Sequence, residues 1–140
     1  MKQAYPVFIA EHGKDFLVYV PDMDIYTEGK SMVDAMEMAR DAIGLKGIDM
    51  EDSGTPLPMP STNKQAFEKA KEDADIFDYS TGTLTLVDVD FTEYRRKMDN
   101  KMVRRNVTLP NWLNVKADKA GINVSRVLQD ALMAKLNVTK

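Results

Sequence analysis

No cysteine occurs among the 140 residues. The chain therefore forms no disulfide, carries no thiol nucleophile and offers no zinc thiolates, as suits a protein of the cytoplasm. Histidine is nearly absent as well. His12 is the single imidazole, and it falls in a hairpin turn with neither a nucleophile nor an orienting group beside it in the sequence. No apolar run approaches the roughly 18 residues that a membrane span requires, no signal peptide is expected, and no glycine-rich phosphate loop is present. Internal repeats and low-complexity tracts are also missing. What remains is the composition of a folded protein, 44% hydrophobic and 29% charged.

The charge is unevenly placed. Residues 1–100 hold eleven Lys and Arg against twenty Asp and Glu, whereas residues 101–140 hold eight against two. A net charge of −3 thus conceals an acidic body and a basic tail, and a basic half points to a polyanion partner.

The body reads as a small α+β domain. Ala4–Ala10 and Asp15–Val20 are aromatic and β-branched runs joined by the short turn Glu11-His-Gly-Lys14, which predicts a hairpin ended by Pro21. A third strand is expected near Ile25–Thr27. Ser31 is a good N-cap, with Asp34 as a weaker substitute for the Glu of a capping box. Met32, Ala35, Met36, Ala39 and Ile43 then recur at helical spacing, and Gly44 and Gly47 offer stops. Thr55-Pro-Leu-Pro-Met-Pro60 predicts an extended, packed connector. Ser61 opens a short helix over Lys64–Glu72, Gly82–Asp88 alternates as a fourth strand, and Thr92–Arg96 is a brief helix toward the tail.

In the tail, Met102–Leu109 alternates. One face carries Val103, Val107 and Leu109; the other carries Arg104, Asn106 and Thr108. A bidentate donor, an amide and a hydroxyl are the side-chain types that read base edges: Arg on guanine, Asn on adenine, Thr on either edge or a thymine methyl. A two-stranded ribbon fits the major groove, but one chain supplies one strand, so two copies pairing antiparallel are expected. Pro110 follows, then a helix containing Trp112, Leu113, Val115, Ala117 and Ala120, a turn at Gly121, and a second helix. There Val124, Val127, Leu128, Ala131, Leu132 and Leu136 keep helical spacing. The dimer core is assigned to Val103, Val107, Leu109, Trp112, Val127, Leu128 and Leu132. Asn123 as N-cap leaves the amides of Val124 and Ser125 at the positive end of a helix, a phosphate clamp to which Lys101 adds a charge.

Arg104-Arg-Asn-Val-Thr-Leu-Pro110 followed by Ala120-Gly-Ile-Asn-Val-Ser-Arg-Val-Leu-Gln-Asp-Ala-Leu132 resembles a ribbon-helix-helix domain of the MetJ/Arc type. Arg105 departs from that pattern, since it falls on the apolar register. Tyr5-Pro-Val-Phe-Ile, Asp15–Asp22, Thr27-Glu-Gly-Lys-Ser31 and Pro56-x-Pro-x-Pro60 resemble the HicB antitoxin domain, a shortened RNase H-like fold. The combined resemblance implies α+β architecture: a small antiparallel-type sheet with one main helix over residues 1–92, a linker over 93–100, and a ribbon-helix-helix domain over 101–140. It also implies a type II antitoxin that binds a small HicA-type mRNA-cleaving toxin and represses its own operon. Its partners would be that toxin, operator DNA and further copies of itself, as a dimer or a higher assembly such as a tetramer. No cofactor and no metal are expected, and no toxin-contacting residue is assigned.

Two other classes compete with this reading. RNase H chemistry needs carboxylates converging on two metal ions, the first in the opening strand, and Ala4–Ala10 contains none. The pairs Asp22/Asp24, Asp73/Asp75 and Asp88/Asp90 read as solvated surface, so no enzyme activity is expected. A stand-alone ribbon-helix-helix repressor with a ligand-sensing body is the alternative.

Overall fold

The computed structural model describes residues 1–100 and 102–138. It divides into two compact units, Met1–Lys101 and Met102–Lys140.

The first unit is built on four antiparallel strands, β1 (Lys2–His12), β2 (Asp15–Val20), β3 (Ile25–Gly29) and β4 (Thr83–Asp90), in the order β3-β2-β1-β4. The β1–β2 hairpin pairs Phe8 with Tyr19 and His12 with Asp15, so it closes where the sequence placed it. β1 is central and apolar on both faces. Alternation sends Tyr5, Val7 and Ile9 to one face, where they meet Val18, Val20, Ile25, Val87 and Val89 under the helix α1 (Met32–Asp52). Phe8 points the other way, with Tyr19, against Ala66 and Ala70 of α2 (Asn63–Glu72). The sheet is thus covered on both faces, and that dictates the near-continuous hydrophobicity of β1.

α1 begins as expected. Ser31 accepts from the Asp34 amide at 3.1 Å, although the Asp34 carboxylate reaches past the cap to the Lys30 amide at 2.8 Å. The helix does not stop at Gly44 or Gly47; it runs on to Asp52. These glycines are there for close approach. A Cβ on Gly44 would lie 2.7 Å from the Tyr94 ring, and one on Gly47 would lie 2.2 Å from the Phe91 ring. Both aromatics belong to α3 (Phe91–Met98), which the Asp90 carboxylate caps. Arg95 bridges to Glu51 and Asp52, each at 3.0 Å, and Tyr94 donates to Asp41. The brief helix expected at Thr92–Arg96 is therefore present and longer, and the first part of the expected 93–100 linker is held on α1. α2 is also set one residue from its expected start. Thr62, not Ser61, is the N-cap and forms a capping box with Gln65, while Ser61 is held by Asp22. The proline-rich segment stays extended, with Pro58 O accepting from the Tyr5 hydroxyl at 2.9 Å.

The second unit contains α4 (Asn111–Lys119) and α5 (Val124–Leu136). Gly121, at φ +67°, reverses the chain between them. Its amide bonds to Asp118 O and that of Ile122 to Ala117 O, both at 3.1 Å, the paired closure of a Schellman motif. Residues 102–110 form no ladder in the single chain. The strand expected at Met102–Leu109 requires a neighbour to supply its hydrogen bonds, and one copy supplies none.

Candidate functional site

The tail's proposed reading face consists of Arg104, Asn106 and Thr108, all exposed, while Val103 and Val107 are also exposed, at 81% and 53%. Both registers of this segment therefore face solvent in the monomer. The same holds for the helices. Trp112 is 63% exposed, Val127 54%, Leu132 51% and Leu136 69%, and only Leu128 of the assigned dimer core is partly covered. No described residue of the second unit is buried. Ala117, Leu128 and Met133 are half-buried, and most of the remaining apolar surface of the two helices faces water, the kind of exposed patch that marks an interaction surface.

α5 is capped as expected: the Asn123 carboxamide accepts from the Arg126 amide at 3.1 Å. The Val124 and Ser125 amides lie in the first turn, where the helix itself supplies no acceptor, at the positive end of its dipole. Lys101 lies outside the described residues. On α4, Lys116 sits 5.9 Å from the Trp112 ring centroid, a contact that keeps a cation beside the exposed indole.

In the first unit several members of the acidic pairs have structural occupations. Asp22 holds Ser61, Asp88 pairs with Arg40 at 3.2 Å, and Asp90 caps α3. Among the described residues no group of three or more His, Cys, Asp or Glu is arranged to hold a metal ion. His12 is the last residue of β1, exposed, with its ring edge-on to Phe77 at 5.7 Å.

One arrangement was not anticipated from sequence. On the α2 side of the sheet, Tyr19 and Tyr26 are cross-strand neighbours with ring centroids 5.0 Å apart. Tyr79 lies 5.2 Å from Tyr19 and 6.0 Å from Tyr26, and Phe77 lies 5.0 Å from Tyr79. Together with Asp73, Asp75 and Ile76, three of these rings (Tyr26, Phe77 and Tyr79) enclose an open pocket of about 300 Å³. Asp73 accepts from the Tyr19 hydroxyl and bridges to Lys69 at 3.5 Å. Burial, followed by that carboxylate, pushes the Tyr19 hydroxyl well above its ordinary value, and burial followed by Asp73 and Asp24 raises Tyr26 as well. The only sequence signal was the density of acids and aromatics in Asp73-Ala-Asp-Ile-Phe-Asp-Tyr79. Its conjunction with Tyr19 and Tyr26 depends on strand pairing.

Taken together, these features define a two-part protein: a sheet domain with an acidic, aromatic face, and a small basic unit whose apolar helices lack a core. Known proteins make the assignment narrower. Residues 5–136 match the family described as the HicB-like antitoxin of a bacterial toxin–antitoxin system. The chain belongs to that family. Among solved structures it is similar to a toxin–antitoxin complex from Streptococcus pneumoniae, with 25% identity and a TM-score of 0.58 over 96% of this chain and 99% of the other. It is also similar in fold to the Burkholderia pseudomallei antitoxin HicB (22%, TM-score 0.51, 96% and 97% covered) and to antitoxin HicB3 (23%, 0.51, 99% and 100%). No curated protein matches the sequence.

Proposed function

We propose that this antitoxin neutralises a small HicA-type mRNA-cleaving toxin through residues 1–92 and represses its own operon through residues 101–140, which act as a ribbon-helix-helix dimer or as part of a larger assembly. The first domain is in this reading a shortened RNase H-like fold that has kept the sheet and serves as a binding surface. The observation that carries the second half is the uncovered apolar surface of α4 and α5 beneath an alternating segment with no ladder. Two copies pairing at 102–109 satisfy one edge of each strand and bury Val103, Val107, Leu109, Trp112, Val127, Leu128 and Leu132 between them. The resulting ribbon presents Arg104, Asn106 and Thr108 to the major groove, while Lys101 and the Asn123–Ser125 helix start engage phosphates.

Support for the first half is the family membership and the likeness to a chain of a toxin–antitoxin complex. Charge agrees with it: an RNA-gripping toxin must be basic, and residues 1–100 carry an excess of nine acidic charges. The test is co-expression with the adjacent short reading frame. A stable complex that relieves the growth arrest caused by that frame alone is expected. An adjacent product that neither binds nor arrests growth removes the antitoxin function, and failure to bind the chain's own promoter removes the repressor function.

A further inference from the structure

The aromatic pocket on the α2 face of the sheet has a chemistry that selects its occupant. Tyr26, Phe77 and Tyr79 present ring faces and edges, and Asp73 and Asp75 add carboxylates on the same wall. Asp24 acts electrostatically on Tyr26 from β3's start. Lys69 is the cation paired with Asp73, whereas Asp75 has no ion pair among the described residues. Ile76 stands fully exposed at the rim, an apolar group that water alone does not favour. π-rings beside carboxylates repel phosphate and attract cations, so the site favours a cation over a nucleic-acid backbone. A planar guanidinium suits the site better than an ammonium, because it stacks on tyrosine faces and donates two parallel hydrogen bonds to one carboxylate.

We propose that this pocket receives the guanidinium of an arginine on the toxin's RNA-gripping surface, with the rings of Tyr26 and Tyr79 forming the wall against which the head rests and Asp75 accepting from it. The assignment rests on the antitoxin function proposed above and makes the pocket a central anchor of the complex. An arginine seated there is withdrawn from the phosphates it would otherwise hold, so capture and neutralisation are one event.

The experiment measures affinity between the full-length chain and the co-encoded toxin by calorimetry. Asp75→Asn, at an exposed position that leaves the fold intact, is expected to weaken binding about five-fold and to flatten its salt dependence. Tyr26→Leu should weaken it about ten-fold, whereas Tyr26→Phe, which keeps the ring, should match the parent. Glu37→Gln, on α1 across the sheet, serves as the control and should change nothing. A parent chain that does not bind the toxin overturns both the antitoxin function and this anchor. A parent that binds, with Asp75→Asn and Tyr26→Leu binding equally well, overturns the anchor alone. Micromolar binding of free arginine amide that leaves toxin affinity unchanged identifies a small-ligand site and overturns it too.

Discussion

Gly47 is the residue where two local rules conflict most sharply. In the interior of a 21-residue helix, alanine is favoured over glycine by about 1 kcal/mol on propensity. Packing opposes this, since the added methyl would sit 2.2 Å from the Phe91 ring, itself 2% exposed and unable to retreat. Overpacking of this kind costs roughly 1–3 kcal/mol, so Gly47→Ala should lower the denaturant midpoint of the first unit despite improving the helix. An unchanged or raised midpoint would show that α3 is not seated on α1 as described. Tyr94 tests the same seam by pH. Burial first, and then its bond to Asp41, push its hydroxyl up to about 12. The folded state therefore favours the protonated form. Its contribution is intact below the ordinary tyrosine value near 10 and is lost as pH rises through about 12. Spectrophotometric titration should reveal a late-ionising tyrosine that Tyr94→Phe eliminates, with loosening of α3 over the same interval.

At the scale of elements, sequence patterns were most reliable where a local rule decides. The β1–β2 hairpin, the Ser31 cap, the turn at Gly121 and the Asn123 cap each rest on one or two residues whose chemistry has few alternatives, and each stands where it was read. Gly44 and Gly47 misled because a glycine that stops a helix and one that admits a neighbouring ring look the same until the neighbour is known. A brief helix was legible at Thr92–Arg96, but the polar run Glu93-Tyr-Arg-Arg-Lys97 hides that Tyr94 and Arg95 have partners 43 to 53 residues earlier and so are held on α1. The Tyr19–Tyr26–Tyr79 cluster was illegible for a stronger reason, because it joins two strands and a loop through pairing that no local window contains. In the tail, the even and odd faces expected of 102–109 make a prediction the strand alone must satisfy. Arg104→Ala or Asn106→Ala should cost about 1–3 kcal/mol of operator affinity and relax preference at particular base pairs. Lys101→Ala should weaken all sequences alike and reduce the salt slope by about one per copy. Binding isotherms on the operator and on scrambled duplexes, at several salt concentrations, separate the two classes. Identical behaviour would refute the face assignment.

For the molecule as a whole, the decisive physical fact is that one unit has a core and the other has none. Residues 1–100 bury Tyr5, Val7, Phe8, Ile9, Tyr19 and Phe91 almost completely, enough for independent folding. The tail unit, of about forty residues, has no fully buried side chain among its described residues, and units of that size usually gain stability from a disulfide, a metal or association. The dimer proposed above links its folding to its concentration, so at micromolar levels the full chain should scatter light as a dimer or more, and the tail's melting midpoint should rise with protein concentration while the body's does not. Leu132→Asp separates the two units cleanly. Leu132 is half exposed in the single chain and is expected to be covered in the assembly. A carboxylate there costs the monomer little, but in the dimer it buries two like charges without partners, each worth several kcal/mol. The variant should therefore be monomeric by light scattering and bind operator more than about a hundred-fold more weakly, because a lone strand cannot form the ribbon. Its toxin affinity per chain should be preserved, since the sheet domain does not depend on the tail for its core. If Leu132→Asp instead remains an operator-binding dimer, the surfaces of α4 and α5 assigned here to self-association face something else.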